Sequence, residues 1–145
     1  MNRLLLAVVL AFAFSGSIGQ NLDSGIVHTL FLLGDAGEPY VRETSSGKVL
    51  AGKINDAKGN STVLFLGDNI YDSGLPDVDA PTYDEAESAL KTQVGFIQGL
   101  DTKGIFIPGN HDWQHWGKDG LDYIKNQQQW IDSLKDENIT LLPQN

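Results

Sequence analysis

Four residues able to hold or move charge stand at three matching places in the chain. Asp35 and Asp68 each follow a glycine, in Gly34-Asp35 and Gly67-Asp68, and Asn110-His111 follows Pro108-Gly109. Each place closes a short apolar run: Ile26 to Leu33 (IVHTLFLL), Thr62 to Leu66 (TVLFL) and Gly104 to Ile107 (GIFI). Runs of this length without strict alternation read as strands buried on both faces of a parallel sheet. Glycine permits the sharp turn at a strand end and throws the next side chain towards the sheet's C-terminal edge. The ligand site of an open α/β sheet lies at that edge, so Asp35, Asp68, Asn110 and His111 are expected to converge. Two carboxylates gathered in one crevice repel, and either raised pKa values or a bound cation must relieve that. Oxygen and nitrogen donors without thiolate suit Mn, Fe, Zn or Mg. Because one Asp can bridge two ions ~3.5–4 Å apart, a two-metal centre is the natural expectation.

The elements that must position these residues alternate. Lys48 to Ala57 reads as a weak helix with Val49, Leu50 and Ile54 as its apolar contacts. Thr82 to Leu100 is a stronger one. Thr82 and Glu85 have the spacing of a capping box, and Ala86, Leu90, Val94 and Ile97 fall on one helical face. Leu121, Ile124, Ile131 and Leu134 mark a third amphipathic helix, with Gln127 to Gln129 expected in solvent, and Ile139 to Leu142 reads as the start of a fourth strand. The β-α-β-α-β-α-β series assigns the chain to the α/β class, as an open sheet built from β-α-β units.

Composition bounds the rest. At 145 residues the chain allows one domain. With 41% hydrophobic residues, 20% charged and 16 glycines it is globular rather than disordered. Ten Lys and Arg against 19 Asp and Glu give a net charge of −9, which argues against nucleic acid as a partner. The lack of Cys removes disulfides, zinc fingers and thiol nucleophiles together. At the N-terminus Asn2-Arg3 precedes an apolar run from Leu4 to Phe14, and small residues Ser17 and Gly19 fit a cleavage site. This is the layout of a secretory signal peptide over residues 1–19. The run falls well short of the ~20 residues that a membrane-spanning helix needs. A secreted or periplasmic location follows, with residues 20–145 as the mature part and no stable membrane insertion after cleavage. Asn60-Ser61-Thr62 and Asn138-Ile139-Thr140 are glycosylation sequons, meaningful in a eukaryotic source.

The same residues carry a family resemblance. GDAG (Gly34 to Gly37), GDNIY (Gly67 to Tyr71) and GNHD (Gly109 to Asp112) resemble the first three blocks of the calcineurin-like metallophosphoesterases, GDxG, GDxxY and GNH[DE]. The tyrosine three residues after the second Asp is similar to the purple acid phosphatase type. The family's later VxxH and GHxH blocks are absent, and none of the three histidines follows His115. The resemblance therefore implies the N-terminal half of a four-layer α/β sandwich, truncated at residue 145. It implies Asp35 as a terminal ligand of the first metal and Asp68 as the bridging carboxylate. Tyr71 matches a phenolate on ferric iron, and Asn110 an amide ligand of the second metal. His111 resembles the proton donor beside the leaving group, with Asp112 orienting it. The implied cofactor is a pair of divalent or trivalent ions, Fe with Fe, Zn or Mn. The implied activity is hydrolysis of phosphate esters, monoesters above all, by a metal-bound hydroxide. Gly37 stands where many members of the wider superfamily carry a histidine ligand, a loss that the tyrosine-containing subtype shares.

The chain alone is expected to be poorly active, because the missing histidines leave both ions under-coordinated. The alternative is a catalytically incomplete fragment or a non-catalytic metal-binding module of the same fold. Other chemistry-bearing residues have structural readings. His28 lies inside a strand run, and Trp130 reads as core. His115 sits between Gln114 and Trp116 in the loop after the third block; it lines a substrate pocket with Trp113 and Trp116 or packs that loop. The acidic stretch Asp72, Asp77, Asp79, Asp84, Glu85 and Glu87 reads as a solvated face.

Overall fold

The computed structural model describes residues 26–38, 46–57 and 59–143. The expected signal peptide at residues 1–19 lies outside the described residues. Four short strands, β1 (Thr29–Leu33), β2 (Ser61–Phe65), β3 (Lys103–Phe106) and β4 (Ile139–Leu141), pair in parallel in the spatial order β1-β2-β3-β4. Among the described residues an α-helix lies in each interval, α1 (Ser46–Asp56), α2 (Tyr83–Ile97) and α3 (Gly120–Ser133), the last preceded by a single 3-10 turn at Gln114–Trp116. The chain is thus the open parallel α/β sheet expected from its pattern.

Strand order and hand together decide which face is covered. When neighbours in sequence are neighbours in space and every parallel crossover runs with the same hand, the helices gather on one face. Two rows of side chains in register lie under them: Phe31, Val63 and Ile139, with Gly104 between the last two, and Leu33, Phe65, Phe106 and Leu141. Val63, Phe65, Phe106 and Leu141 are fully buried, and the rings of Phe65 and Phe106 stack with centroids 4.1 Å apart. Ile97 of α2 lies directly on Gly104, where the missing Cβ leaves room for it. Ile54 of α1, Leu90 and Val94 of α2, and Ile124 and Ile131 of α3 complete the core.

The opposite face corrects one expectation. Leu30 and Leu32 on the edge strand β1 are 55% and 60% exposed, and Leu64 and Ile105 beside Leu32 are half-buried. The interior strand β2 is buried at four of its five positions.

The helices follow the expected stripes with three differences. In α2 the buried positions are Ala86, Ala89, Leu90, Gln93, Val94 and Ile97. Thr82 takes the N-cap position without a side-chain hydrogen bond, so the capping box does not form. Asp84 and Glu85 instead place negative charge at the helix's positive end. Val49 of α1 is 59% exposed, leaving Ile54 and Leu50 to hold that helix on the sheet. Gln127 of α3 is fully buried rather than solvated, since it lies on the stripe between Ile124 and Ile131. Both atoms of its amide are without a partner.

Candidate metal centre

The three strand-end loops meet where β1, β2 and β3 deliver them. Asp35 and Asp68 both have left-handed backbone, with φ of 53° at each. Each side chain is thereby turned off the strand direction and over the sheet edge. The loops are stitched together by main-chain bonds: Asp35 N–H donates to Gly67 O (3.3 Å) and Gly37 N–H to Asp68 O (3.0 Å). Close approach is what the glycines supply. A Cβ on Gly37 would overlap the carbonyl of Asn69, and one on Gly67 would come within 2.8 Å of Gly109 Cα. The structure thus excludes any side chain at position 37.

The side chains converge accordingly. The Tyr71 hydroxyl donates to Asp35 Oδ1 at 2.8 Å and lies 3.4 Å from Asp68 Oδ2. Burial first, then the bond to Asp35 and the charges of both carboxylates, pushes the Tyr71 phenol well above its ordinary range. Asp68 Oδ1 accepts the backbone N–H of His111 at 3.1 Å, which brings the third loop onto the same carboxylate. Asn110 therefore lies between Gly109, packed on Asp68, and His111, bonded to it. The His111 ring lies over Tyr71, with centroids 4.0 Å apart, and against the edge of His115 at 4.1 Å.

His111 Nδ1 is 2.7 Å from the carbonyl of Asp72. A carbonyl only accepts, so Nδ1 carries the proton and Nε2 is the nitrogen left to exchange one with a substrate. The orienting partner of His111 is thus a main-chain oxygen of the second loop rather than Asp112.

Asp112 has a different place. Its carboxylate is fully buried and accepts the N–H groups of Gly109 (2.7 Å), Asn69 (3.0 Å) and Ile70 (3.1 Å), and the Asn69 amide at 3.3 Å. Burial pushes this carboxyl up to about 6, opposed by the N–H donors that stabilise its charge. Asp112 clamps the loop after β3 to the loop after β2. Gln93 of α2 supports the same loop from below, donating to Asn69 O at 2.7 Å. Asn69 and Gln93 were not singled out in the sequence. Gln93 carried a signal, being a polar residue in the middle of an apolar helical stripe.

His115 aside, the side chains of the other singled-out residues take no part in the centre. His28 approaches Thr62 Oγ1 at 3.0 Å on the sheet. Trp130 is partly buried and donates its indole N–H to Glu87 at 3.0 Å. Trp113 and Trp116 stack with centroids 6.0 Å apart, and Trp116 is 76% exposed. Asp72, Asp77, Asp79, Asp84 and Glu85 are exposed, as expected of a solvated face, whereas Glu87 is paired. A cleft of about 320 Å³ opens beside the centre, between Tyr71, Asp72, Gln114 and Tyr123.

Among the described residues, no group of three or more His, Cys, Asp or Glu side chains gathers as a metal cage. The convergent donors are two carboxylates and a phenol, with an amide and an imidazole on the adjoining loop. The Tyr71 hydroxyl is within hydrogen-bond distance of both carboxylates, and three oxygen donors meeting there fit a hard cation.

The profile of calcineurin-like phosphoesterase matches residues 31–143. The chain belongs to that family. Calcineurin-like phosphoesterases generally use a binuclear metal centre and act on phosphate esters. The chain is similar to purple acid phosphatase 4 of Arabidopsis thaliana, at 27% identity over 86 residues, covering 59% of this chain and 24% of that protein. It spans about a quarter of the length of that curated relative. No solved structure gives a significant match.

Proposed function

We propose that the chain supplies the first half of the catalytic centre of an exported, metal-dependent hydrolase of phosphate esters, with phosphomonoesters as its preferred substrates. The observation that carries this reading is the meeting of Asp35, Asp68 and Tyr71, from two different strand ends, against the loop that bears Asn110 and His111. Asp35, Asp68 and Tyr71 would hold one ion of a pair, and Asp68 with Asn110 the other. A phenol among the donors favours ferric iron at the first position, with Fe, Zn or Mn at the second. When bound, the two ions would neutralise charge on the phosphoryl oxygens and activate the attacking water.

The chain's own groups do the remaining work. His111, with Nδ1–H committed to Asp72 O, presents Nε2 for proton donation to a leaving alkoxide. Asp112 fixes the Asn110-His111 backbone relative to the Asp68 loop. Export rests on the three-part N-terminal pattern of residues 1–19. Among the described residues no helix is long and apolar enough to cross a membrane.

A second reading is a metal-binding module of the same fold without turnover, in which the same carboxylates and phenol hold the ion. Both are tested on the full-length gene product, stripped by chelator and reloaded with iron and zinc. Asp68→Asn should remove bound metal. His111→Ala should keep the metal and lower turnover of p-nitrophenyl phosphate by about 10²–10⁴-fold, the range of general acid catalysis. Metal binding without turnover in the wild type supports the second reading, and full metal content in Asp68→Asn sinks the site itself.

A further inference from the structure

His115 has no part in the proposed catalytic roles, yet it sits on the centre. Its Nε2 is 3.1 Å from Asp72 O, the same carbonyl that His111 Nδ1 approaches at 2.7 Å. Its Nδ1 is 3.4 Å from Asn110 Nδ2. The chemistry of these contacts fixes the protons in sequence. A carbonyl cannot donate, so the His115 nitrogen facing Asp72 must be the protonated one. In a neutral ring the other nitrogen, Nδ1, is then an acceptor. An acceptor at that position selects the NH2 side of the Asn110 amide and turns its Oδ1 the other way. An amide can bind a cation only through oxygen, so this choice of side decides whether Asn110 is a ligand at all.

The backbone shows that this ring is held in place. Gln114, His115 and Trp116 are consecutive residues with left-handed backbone, φ 52°, 50° and 63°. Such a turn disfavours residues with a Cβ by roughly 1–2 kcal/mol each, so surrounding bonds must hold it. His115 N–H donates to Asn110 O at 2.8 Å, Trp116 N–H to Trp113 O at 2.9 Å and Asp119 N–H to Gln114 Oε1 at 3.2 Å. The left-handed turn folds the chain back so that residue 115 faces residue 110.

We propose that His115 is a positioning residue that sets the amide of Asn110 with its oxygen available to the second metal ion. The inference rests on the reading of Asn110 as a ligand. His115 acts through two hydrogen bonds at once, one to the Asp72 carbonyl that also orients His111 and one to the Asn110 amide, and so locks the proton donor and the amide ligand to a common anchor.

The test is titration of the stripped full-length protein with Mn²⁺ alone, followed by calorimetry and manganese EPR, across four forms: wild type, Asn110→Ala, His115→Phe and His115→Asn. Phe keeps a flat ring against His111 but cannot accept a hydrogen bond. Asn places an acceptor where Nδ1 was, tolerates left-handed backbone and removes the ring. The expected result is a 10–100-fold loss of affinity for one of two Mn²⁺ ions in His115→Phe, the usual cost of losing a group that orients a ligand. His115→Asn should bind close to wild type, and Asn110→Ala should lose the same ion. The reverse pattern, Phe silent and Asn impaired, would make ring packing the role of His115 and overturn the proposal. Impairment of both, with the folded far-UV spectrum lost, would show a structural role and overturn it too. If Asn110→Ala binds two Mn²⁺ normally, the ligand reading of Asn110 fails and the proposal falls with it. If Asn110→Ala is impaired while His115→Phe is not, only the proposal falls.

Discussion

The Tyr71 hydroxyl donates to Asp35 Oδ1 across 2.8 Å, tying the loop after β2 to the loop after β1 through side chains alone. Tyr71→Phe removes that tie and leaves the ring in place over His111. The expected outcome is a folded protein whose iron-loaded form has lost any visible absorption band arising from a phenolate on ferric iron. Absorption spectroscopy of the wild type and the variant, loaded identically, checks this. An unchanged band would place the tyrosinate elsewhere.

The convergence of Asp35, Asp68 and the Asn110-His111 pair was legible because strand ends are marked twice, by the close of an apolar run and by glycine. The helical stripes of α2 were legible for the same kind of reason, a period that survives any surroundings. Polar residues on those stripes were harder to place. Gln127 lies three residues after Ile124 and four before Ile131, so its burial was implied by spacing. Its amide chemistry pointed the other way, and packing won. The role of Asp112 was hidden because its partners are main-chain N–H groups of Gly109, Asn69 and Ile70, which leave no mark in a sequence. The open face at Leu30 and Leu32 was hidden as well. An apolar run has the same letters whether one layer or two will cover it.

Asp112→Asn tests the clamp. Asp112 Oδ2 accepts from Gly109, from the Asn69 main chain and from the Asn69 amide, while Oδ1 accepts from Ile70. An amide offers one oxygen, so at least one buried N–H group must face an NH2 instead. Leaving a buried donor unsatisfied costs about 1–3 kcal/mol. Urea denaturation of the variant should show a loss in that range with an unchanged slope. A loss well below it would mean that the two loops hold together without the carboxylate.

Glu87 gives a pH dependence with a definite sign. The Lys91 ammonium 2.8 Å away, then the Trp130 indole N–H at 3.0 Å, holds the Glu87 carboxyl below its ordinary value. A carboxyl depressed on folding contributes stability above its unfolded pKa of about 4.3. That contribution is lost as pH falls through the lower folded value. Glu87→Gln should therefore melt at a lower temperature than the wild type at pH 6 to 7, and the difference should close below about pH 4. Melting curves of both proteins across that range provide the check, and a gap that widens on acidification would reverse the assignment. The effect is modest, because Lys91 is 61% exposed and solvent screens the pair.

The last prediction concerns the open face of the sheet. Leu30 and Leu32 on β1, with Leu64 of β2 and Ile105 of β3 beside Leu32, form an apolar strip on the side away from the helices. Among the described residues both leucines sit on an edge strand, a position that invites association. The 145-residue chain produced by itself should bind a hydrophobic dye such as ANS and self-associate as concentration rises. Leu30→Thr combined with Leu32→Thr keeps the β-propensity of both positions while removing much of the apolar surface. Dye binding and light scattering should fall together in that double variant, with the parallel sheet retained by far-UV circular dichroism. If scattering persists at the wild-type level, the association surface lies elsewhere, and the exposed Val49 on α1 becomes the next position to change.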